Sequence, residues 1–304
     1  MNRIVSLLPS ATEIVYALGL GDRLVGVSHS CDYPCEVRGK PVLTRPRFAP
    51  EGLSSGEIDA AVRDALRRFG SVYQVDAEGL AAAQPDLILT QGVCEVCAVP
   101  TRDAEAVALR LPSCPTVLTL DAHDIAGVLD TIRAVGRAGG VPERAEECVC
   151  EIERRMAAVR AGVAGRPAPR VLGLEWLEPP FVPGHWVPEM IGLAGAVSLS
   201  GTVRRPSYAV SWEDLAALDP DVLLIMPCGF DLARAREEAD RYAPDLRRLA
   251  PRAIRAGHAF VVDASSHFSR PGPRVADGVE LLGALCHPDT FAGPSLEGRA
   301  AVWA

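Results

Sequence analysis

The sequence predicts an α/β protein with two Rossmann-like lobes, each built on a parallel-rich sheet, joined by one long backbone helix. Three observations support this class. A long helical pattern lies in the middle of the 304-residue chain, short apolar runs alternate with helical patterns on both sides of it, and two phrases recur in both halves. Continuous apolar runs are typical of parallel strands that are buried on both faces.

The long helix is predicted over residues 142–164. Pro142 suits a first helical turn, acidic residues follow it, and arginines come later, as the helix dipole favours. Apolar residues recur at three- and four-residue steps and form one stripe to be buried: Ala145, Val149, Ile152, Met156 and Val159. Such a helix is about 30 Å long, enough to cross the backs of two small domains.

The two halves read as distant copies of each other. Residues 80–89 and 215–224 each contain a helix end, a Pro-Asp turn and a buried strand. A basic residue, a strand and a helix also open each half in the same order, at residues 3–19 and 170–195. We therefore expect an N-terminal lobe over residues 1–121, connecting helices over 122–166, and a C-terminal lobe over 167–304 that ends in a weakly ordered tail.

The predicted elements of each lobe follow from short apolar runs and turn signals. In the first lobe, strands are expected at residues 4–8, 24–28, 72–75, 87–90 and 116–120, and Ser10 with Glu13 predicts a capping box for the first helix. In the second lobe, strands are expected at 171–174, 222–226 and 260–263, with a final helix at 275–285.

Composition and charge narrow the function classes. A hydrophobic content of 48% can fill two cores, and a net charge of −8 without a basic cluster argues against a nucleic-acid partner. No segment is long enough to span a membrane, and the first residues have too short an apolar run for a secretory signal. Nine cysteines fit a reducing compartment. We therefore expect a cytoplasmic protein.

The loops at the carboxyl ends of the strands carry most of the unusual residues. Because such loops line the ligand crevice of open parallel sheets, a ligand cleft is expected between the lobes. Its candidate binding residues are Arg47, Phe48, Gln91, Trp176, His185, Trp186, Phe230, His267 and Phe268. Flat aromatic walls suit a large planar or macrocyclic ligand with amide or carboxylate arms. In the alternative interpretation, these aromatic side chains only pack their own loops.

Two cysteine pairs follow strand ends in the first lobe. Cys31 and Cys35 follow one strand, and Cys94 and Cys97 follow another. Two thiolate pairs on separate loops can bind zinc or iron, and His29 could replace one thiolate. A redox-active dithiol, or thiols that only line the cleft, are the alternatives. The sequence has no Gly-x-Ser-x-Gly elbow and no phosphate-binding glycine loop, so no catalytic site is predicted.

Three stretches carry a resemblance to a known superfamily. Residues 3–13 (RIVSLLPSATE), the turn at 19–26 (GLGDRLVG) and the two Pro-Asp strands resemble the helical-backbone metal receptors. These are the substrate-binding proteins of ABC importers for cobalamin, haem and iron-siderophore complexes, and the opening phrase is most similar to the cobalamin-binding members. The resemblance covers nearly the whole chain and implies two α/β lobes, a rigid connecting helix, little hinge closure, no catalysis and an ABC permease as partner. An export signal is missing, and the loop at 94–97 is not part of the pattern.

The leading hypothesis is a non-catalytic, cytoplasmic binding protein for cobalamin, another corrinoid or a similar metal-bearing macrocycle. The alternative is a cytoplasmic metal-binding or thiol-redox protein, or an enzyme, that uses Cys94 and Cys97 on the same scaffold. A third possibility is that translation starts upstream, which would keep the importer role.

Overall fold

The computed structural model describes residues 2–93, 96, 98–291 and 296–303. The chain divides into two compact units. Unit 1 comprises Met1–Leu53, Glu57–Ala122 and Ala126–Cys150. Unit 2 comprises Ser54–Gly56, His123–Ile125 and Glu151–Ala304.

The first half of the chain alternates short strands with helices. Its strands are β1 (Ile4–Ser6), β2 (Leu24–Val27), β3 (Thr44–Pro46), β4 (Tyr73–Val75), β5 (Leu87–Gln91) and β6 (Thr116–Leu120). Its helices are α1 (Pro9–Ala17), α2 (Ser55–Phe69), α3 (Ala77–Ala83), α4 (Thr101–Ala108), α5 (Ile125–Gly139) and α6 (Pro142–Gly162).

The main sheet of unit 1 is parallel. Its strand order is β2-β1-β5-β6, and β3 and β4 form a separate antiparallel pair. The two central strands are fully buried, as the apolar runs predict, because helices cover both faces of such a sheet.

The second half also alternates strands and helices. Its strands are β7 (Arg170–Leu174), β8 (Trp176–Leu177), β9 (Pro180–Val182), β10 (Val197–Ser198), β11 (Tyr208–Ala209), β12 (Val222–Ile225), β13 (Ala259–Val262) and β14 (Ala300–Val302). Its helices are α7 (Val187–Leu193), α8 (Trp212–Ala216), α9 (Leu232–Arg241), α10 (Ala243–Leu249), α11 (Pro251–Arg255), α12 (Ala264–His267) and α13 (Val275–Cys286).

The main sheet of unit 2 has the order β10-β7-β12-β13-β14. It is parallel except for β14, which pairs antiparallel with β13, and β11-β9-β8 form a separate antiparallel sheet. The expectation of a weakly ordered tail differs from the structure at Ala300–Val302, which forms β14. Trp303 is buried next to it and donates from Nε1 to Asp240 Oδ1 at 2.8 Å.

The repeated Pro-Asp phrase forms the same contact in both units. Asp86 lies before β5 and accepts hydrogen bonds from the backbone nitrogens of Asn2 (2.8 Å) and Arg3 (3.2 Å), at the start of β1. Asp221 lies before β12 and accepts from the backbone nitrogen of Arg170, at the start of β7, at 2.8 Å. Each carboxylate therefore joins the amino ends of two neighbouring parallel strands.

Helix α6 confirms the predicted long helix. It begins at Pro142 and ends at Gly162, and every residue of the predicted apolar stripe is buried. Residues up to Cys150 belong to unit 1 and residues from Glu151 to unit 2.

The predicted capping box at Ser10 is wrong. Helix α1 begins at Pro9, its N-cap is Leu8 without a side-chain cap, and Ser10 is buried in the first turn. Proline is favoured at the first helical position because its fixed φ suits the helix and its missing N–H needs no partner there. Pro9 therefore sets the start of the helix one residue before the predicted cap could act.

Among the described residues, no helix is both long enough and apolar enough to cross a bilayer.

An ion-pair cluster joins α6 to α13 inside unit 2. Arg155 donates from Nε to Glu280 at 2.8 Å and also pairs with Asp277, and all three side chains are only partly exposed. The hydrogen bond to Glu280 raises the pKa of Arg155 against the opposing effect of burial, with Asp277 adding to the rise. The cluster therefore keeps its charge while it is partly removed from water.

Replacing Arg155 tests this cluster. Arg155→Met leaves two partly buried carboxylates without their partner, so we expect the free energy of unfolding to fall by about 1–3 kcal/mol in urea titrations. Arg154→Met is the matched control, because Arg154 and its partner Glu151 are exposed on the same helix. The control should not shift the unfolding midpoint. Equal midpoints for the two variants would contradict a stabilising role for the cluster.

Candidate functional site

The carboxyl edge of the unit 1 sheet carries His29 and Cys31 after β2, and Gln91 at the end of β5. Gln91 is buried, and its carbonyl oxygen accepts from Thr101 Oγ1 at 3.1 Å. The parallel arrangement therefore brings predicted site residues from the loop after β2 and from the end of β5 to one edge of this sheet.

His29 is held by a buried hydroxyl. Its backbone nitrogen donates to Thr44 Oγ1 at 3.0 Å, and its Nδ1 lies 2.7 Å from the same oxygen. The ring of Tyr73 packs against the imidazole with a centroid distance of 5.3 Å. Although the residue as a whole is exposed, burial among its neighbours lowers the pKa of His29. The imidazole is therefore neutral at pH 7 and fixed in orientation.

Cys31 lies among hydroxyl groups. Its Sγ is 3.0 Å from Thr12 Oγ1 and 3.4 Å from Ser28 Oγ. Thr12 Oγ1 in turn donates to Ser6 Oγ at 2.9 Å inside the unit. The thiol thus belongs to a polar network between β1, α1 and the β2 loop.

The predicted zinc or iron site remains a prediction. Cys35 is exposed and its Sγ lies 3.4 Å from Glu36 Oε2, whereas Cys94 and Cys97 lie outside the described residues. In the part of the chain that the structure describes, no three histidine, cysteine, aspartate or glutamate side chains are grouped to hold a metal ion.

Arg47 and Phe48 follow β3 in unit 1. Arg47 is exposed, and its guanidinium lies 4.7 Å from the centre of the Phe69 ring on α2. Its backbone nitrogen donates to Val72 O at 3.0 Å, and Phe48 is half-buried. Arg47 therefore has a cation–π partner in its own unit and remains accessible.

Trp176 and Phe230 form an aromatic pair in unit 2. Their rings meet edge to face with centroids 5.3 Å apart, and the guanidinium of Arg234 lies 4.2 Å from the centre of Phe230. Trp176 is half-buried and donates from Nε1 to Ser55 O at 3.2 Å, whereas Phe230 is buried. Of these two rings, Trp176 is the one that can offer a surface.

Trp186 and Phe268 do not form exposed walls. Both are buried, and Trp186 Nε1 donates to Phe268 O at 2.9 Å. For these two rings and for Phe230, the structure agrees with the alternative interpretation that they pack their own loops. The physical reason is that a buried indole needs an acceptor for its N–H. The carbonyl oxygen of Phe268, the residue after α12, is that acceptor.

His185 has a strained backbone that its neighbours impose. Its φ is 52°, in the left-handed region. Its nitrogen donates to Arg205 O at 2.7 Å, and its oxygen accepts from Arg204 N at 3.1 Å. The ring of His185 packs near two other rings, with centroid distances of 5.7 Å to Trp186 and 5.6 Å to His123. The His185 side chain is therefore presented from a loop with a fixed conformation.

His267 is buried. No hydrogen-bond partner for its Nδ1 is found within the described ranges. Burial lowers the pKa of His267 to about 4, and nearby Arg299 and Arg274 lower it while Asp263 and Asp277 oppose them. The ring is therefore a neutral core group rather than an exposed ligand contact.

Glu175 is a candidate that the sequence analysis missed. It follows β7 directly, and both of its carboxylate oxygens accept from Ser207 Oγ at 2.9 Å. Ser207 Oγ also accepts from Gly184 N at 3.1 Å, which connects Glu175 to the His185 loop. A carboxylate directly after a buried parallel strand is the sequence signal for this candidate.

Glycines close to the His185 loop allow a test of its rigidity. Gly201 has φ +80°, and a Cβ there would come within 1.8 Å of Pro183 O. We therefore expect Gly201→Ala to lower the free energy of unfolding by about 2 kcal/mol or more in urea titrations. Gly192→Ala is the control, because Gly192 lies in α7 with open space around it and should gain about 0.5–1 kcal/mol. A neutral Gly201→Ala would show that the loop is not tightly held.

The burial of His267 predicts a pH-dependent stability. Its pKa in the folded protein, about 4, lies below the ordinary 6.5, so the unfolded chain binds the proton more tightly. Stability should be full above pH 6.5 and fall between pH 6.5 and 4, by about 3 kcal/mol in total. Urea titrations of the wild type and His267→Gln at each pH should show this loss as a difference between them. A constant difference would contradict the prediction.

Comparisons with known proteins agree with this arrangement. The model of the periplasmic binding protein family matches residues 4–252. An uncharacterized ABC transporter substrate-binding lipoprotein of Bacillus subtilis is 26% identical over 95% of this chain and 81% of its own length. A vitamin B12-binding protein of Vibrio cholerae is 25% identical over 92% of this chain and 87% of its own length.

Solved structures show the same fold. A periplasmic heme-binding protein of Pseudomonas aeruginosa superposes with a TM-score of 0.72 at 25% identity, covering 95% of this chain and 94% of that one. The periplasmic vitamin B12-binding protein of Vibrio cholerae superposes with a TM-score of 0.68 at 22% identity, covering 94% of this chain and 96% of that one. At this identity the likeness shows the fold alone. The predicted fold class and superfamily are confirmed. The chain therefore belongs to the periplasmic binding protein family, and it is a substrate-binding protein of the ABC-importer type.

Proposed function

We propose that this protein binds a corrinoid, such as cobalamin or cobinamide, for an ABC importer and does not transform it. The observation that carries the proposal is the Glu175 carboxylate, which Ser207 holds directly after β7 and which the half-buried Trp176 follows in the chain. A corrin ring is a large, partly apolar macrocycle with neutral amide arms. Trp176 would contact the ring, and Glu175 would accept hydrogen bonds from amide N–H groups.

The sign of the charge on Glu175 separates corrinoids from haem. Haem has two carboxylate arms, which the carboxylate of Glu175 would repel. The amide arms of a corrinoid would instead donate hydrogen bonds to Glu175. The vitamin B12-binding relatives of Vibrio cholerae and Vibrio parahaemolyticus, at 25% and 24% identity, support the same ligand class. The compartment in which the protein acts is a separate question, and the cytoplasmic location predicted from the sequence remains a prediction.

Arg234 favours haem as the second candidate. Its guanidinium is stacked on Phe230, 4.2 Å from the ring centre, and could pair with a ligand carboxylate. The heme-binding protein of Pseudomonas aeruginosa, at 25% identity, supports this alternative. The two candidates therefore depend on two side chains of opposite charge: Glu175, which precedes Trp176 in the chain, and Arg234, which is stacked on Phe230.

Ligand titrations separate these candidates. Purified protein titrated with cyanocobalamin, cobinamide and haemin should bind the corrinoids at micromolar or lower concentration and bind haemin more weakly. Glu175→Gln should weaken corrinoid binding about 5- to 10-fold, since it loses a charge-assisted hydrogen bond, and should not weaken haemin binding. Arg234→Gln should weaken haemin binding and leave the corrinoids unchanged.

Glu213→Gln is the matched control for Glu175→Gln, because Glu213 is exposed on α8. It should leave every dissociation constant unchanged. Absence of corrinoid binding by the wild type would overturn the proposed function. Tight haemin binding that depends on Arg234 would replace it with the haem alternative.

A further inference from the structure

The anchoring of His29 is more specific than a binding contact requires. Thr44, at the start of β3, is 5% exposed, and its one hydroxyl contacts both the backbone nitrogen and the Nδ1 of His29. Tyr73 packs on the ring and is itself tied to the backbone, since its hydroxyl donates to Val96 O at 2.8 Å. The imidazole is therefore held on the Nδ1 side by two neighbouring strands, β3 and β4.

The hydroxyl of Thr44 can accept two hydrogen bonds. One lone pair receives the backbone N–H of His29, and the second can receive Nδ1–H. In that tautomer Nε2 has no proton, and its lone pair points away from Thr44, on the opposite side of the ring. Metal-binding histidines in proteins have this arrangement, in which the nitrogen that does not bind the metal donates to an oxygen that fixes the ring.

The position of His29 suits a ligand bound at the carboxyl edge of the unit 1 sheet. The residue follows β2 and is exposed. Across the described residues of the chain, His29 has no polar side-chain contact other than the one between Nδ1 and Thr44. A group that arrives at this edge can thus reach Nε2 without displacing a polar contact from any described residue.

We propose that Nε2 of His29 binds the cobalt of the corrinoid directly, as an axial ligand. This inference rests on the proposed function. In the exchange, the Nε2 lone pair forms a bond to Co(III) and the water molecule on that face of the cobalt leaves. Neither the cobalt nor the protein changes oxidation state, and no proton is transferred. Thr44 acts as a positioning residue that keeps Nε2 directed outward.

Two forms of cobinamide test the inference. In aquacobinamide a cobalt-bound water can exchange, whereas in dicyanocobinamide cyanide occupies both axial positions. The wild type should shift the visible bands of aquacobinamide to those of an imidazole complex and leave the bands of dicyanocobinamide unchanged. His29→Asn should abolish the shift and weaken aquacobinamide binding about tenfold or more, with dicyanocobinamide affinity unchanged.

Asparagine separates ligation from folding. Its amide can occupy the place of Nδ1 and keep the contact with Thr44, but it has no atom in the place of Nε2. Equal melting temperatures for the wild type and His29→Asn would show that the fold is kept. His258→Asn, at an exposed histidine in unit 2, is the matched control and should retain the full band shift.

The outcomes distinguish this inference from the proposed function. Wild-type protein that binds aquacobinamide without a band shift, or His29→Asn protein that keeps the shift, would overturn the ligation and leave corrinoid binding intact. Wild-type protein that binds neither cobinamide would overturn both. A band shift that is lost only in His29→Asn, with dicyanocobinamide still bound, would support the direct bond.

Discussion

One carboxylate at the amino ends of neighbouring strands organises each sheet. Asp86 binds the backbone nitrogen of Arg3, and Asp221 binds that of Arg170, so the paired strands start together. Burial raises the pKa of Asp221, but the hydrogen bonds from Arg170 and Arg252 outweigh it and lower the pKa overall. The carboxylate therefore stays ionised. Because the strands are parallel and start in register, their carboxyl ends meet at one edge, where the candidate residues lie.

Small hydroxyl residues hold the two side chains on which the proposals depend. Thr44 fixes His29 in unit 1, and Ser207 fixes Glu175 in unit 2. A hydroxyl can donate one hydrogen bond and accept two, so a single oxygen can bind a side chain and a backbone nitrogen together. Thr44 Oγ1 contacts the side chain and the backbone nitrogen of His29. Ser207 Oγ donates to the side chain of Glu175 and accepts from the backbone nitrogen of Gly184. The two side chains are thereby held in one orientation, which would lower the entropy cost of the proposed binding.

The aromatic residues of unit 2 divide into packing and surface groups. Trp186 and Phe268 are buried and hydrogen-bonded to each other through an indole N–H, whereas Trp176 keeps part of its surface exposed. Both tryptophans bind a carbonyl oxygen, so the N–H of each is satisfied whether or not its ring faces solvent. The ring that remains exposed belongs to the residue that follows Glu175 in the chain. The apolar and polar parts of the proposed corrinoid contact thus come from consecutive residues of the chain.

The sequence by itself determined the α/β class, the long helix and the loops that carry the candidate residues. These follow from local patterns: apolar periodicity, a proline at position 142 and the repeated Pro-Asp turns. The residues that precede the two Pro-Asp pairs, Gln84 and Asp219, share a left-handed φ of 44°. Only the tertiary structure decided which site residues are accessible. Thr44 and His29 are 15 positions apart in the chain, and Ser207 and Glu175 are 32 positions apart. The burial of His267 likewise depends on the packing of the folded chain. Local sequence patterns do not record such contacts, because chain folding alone brings those groups together.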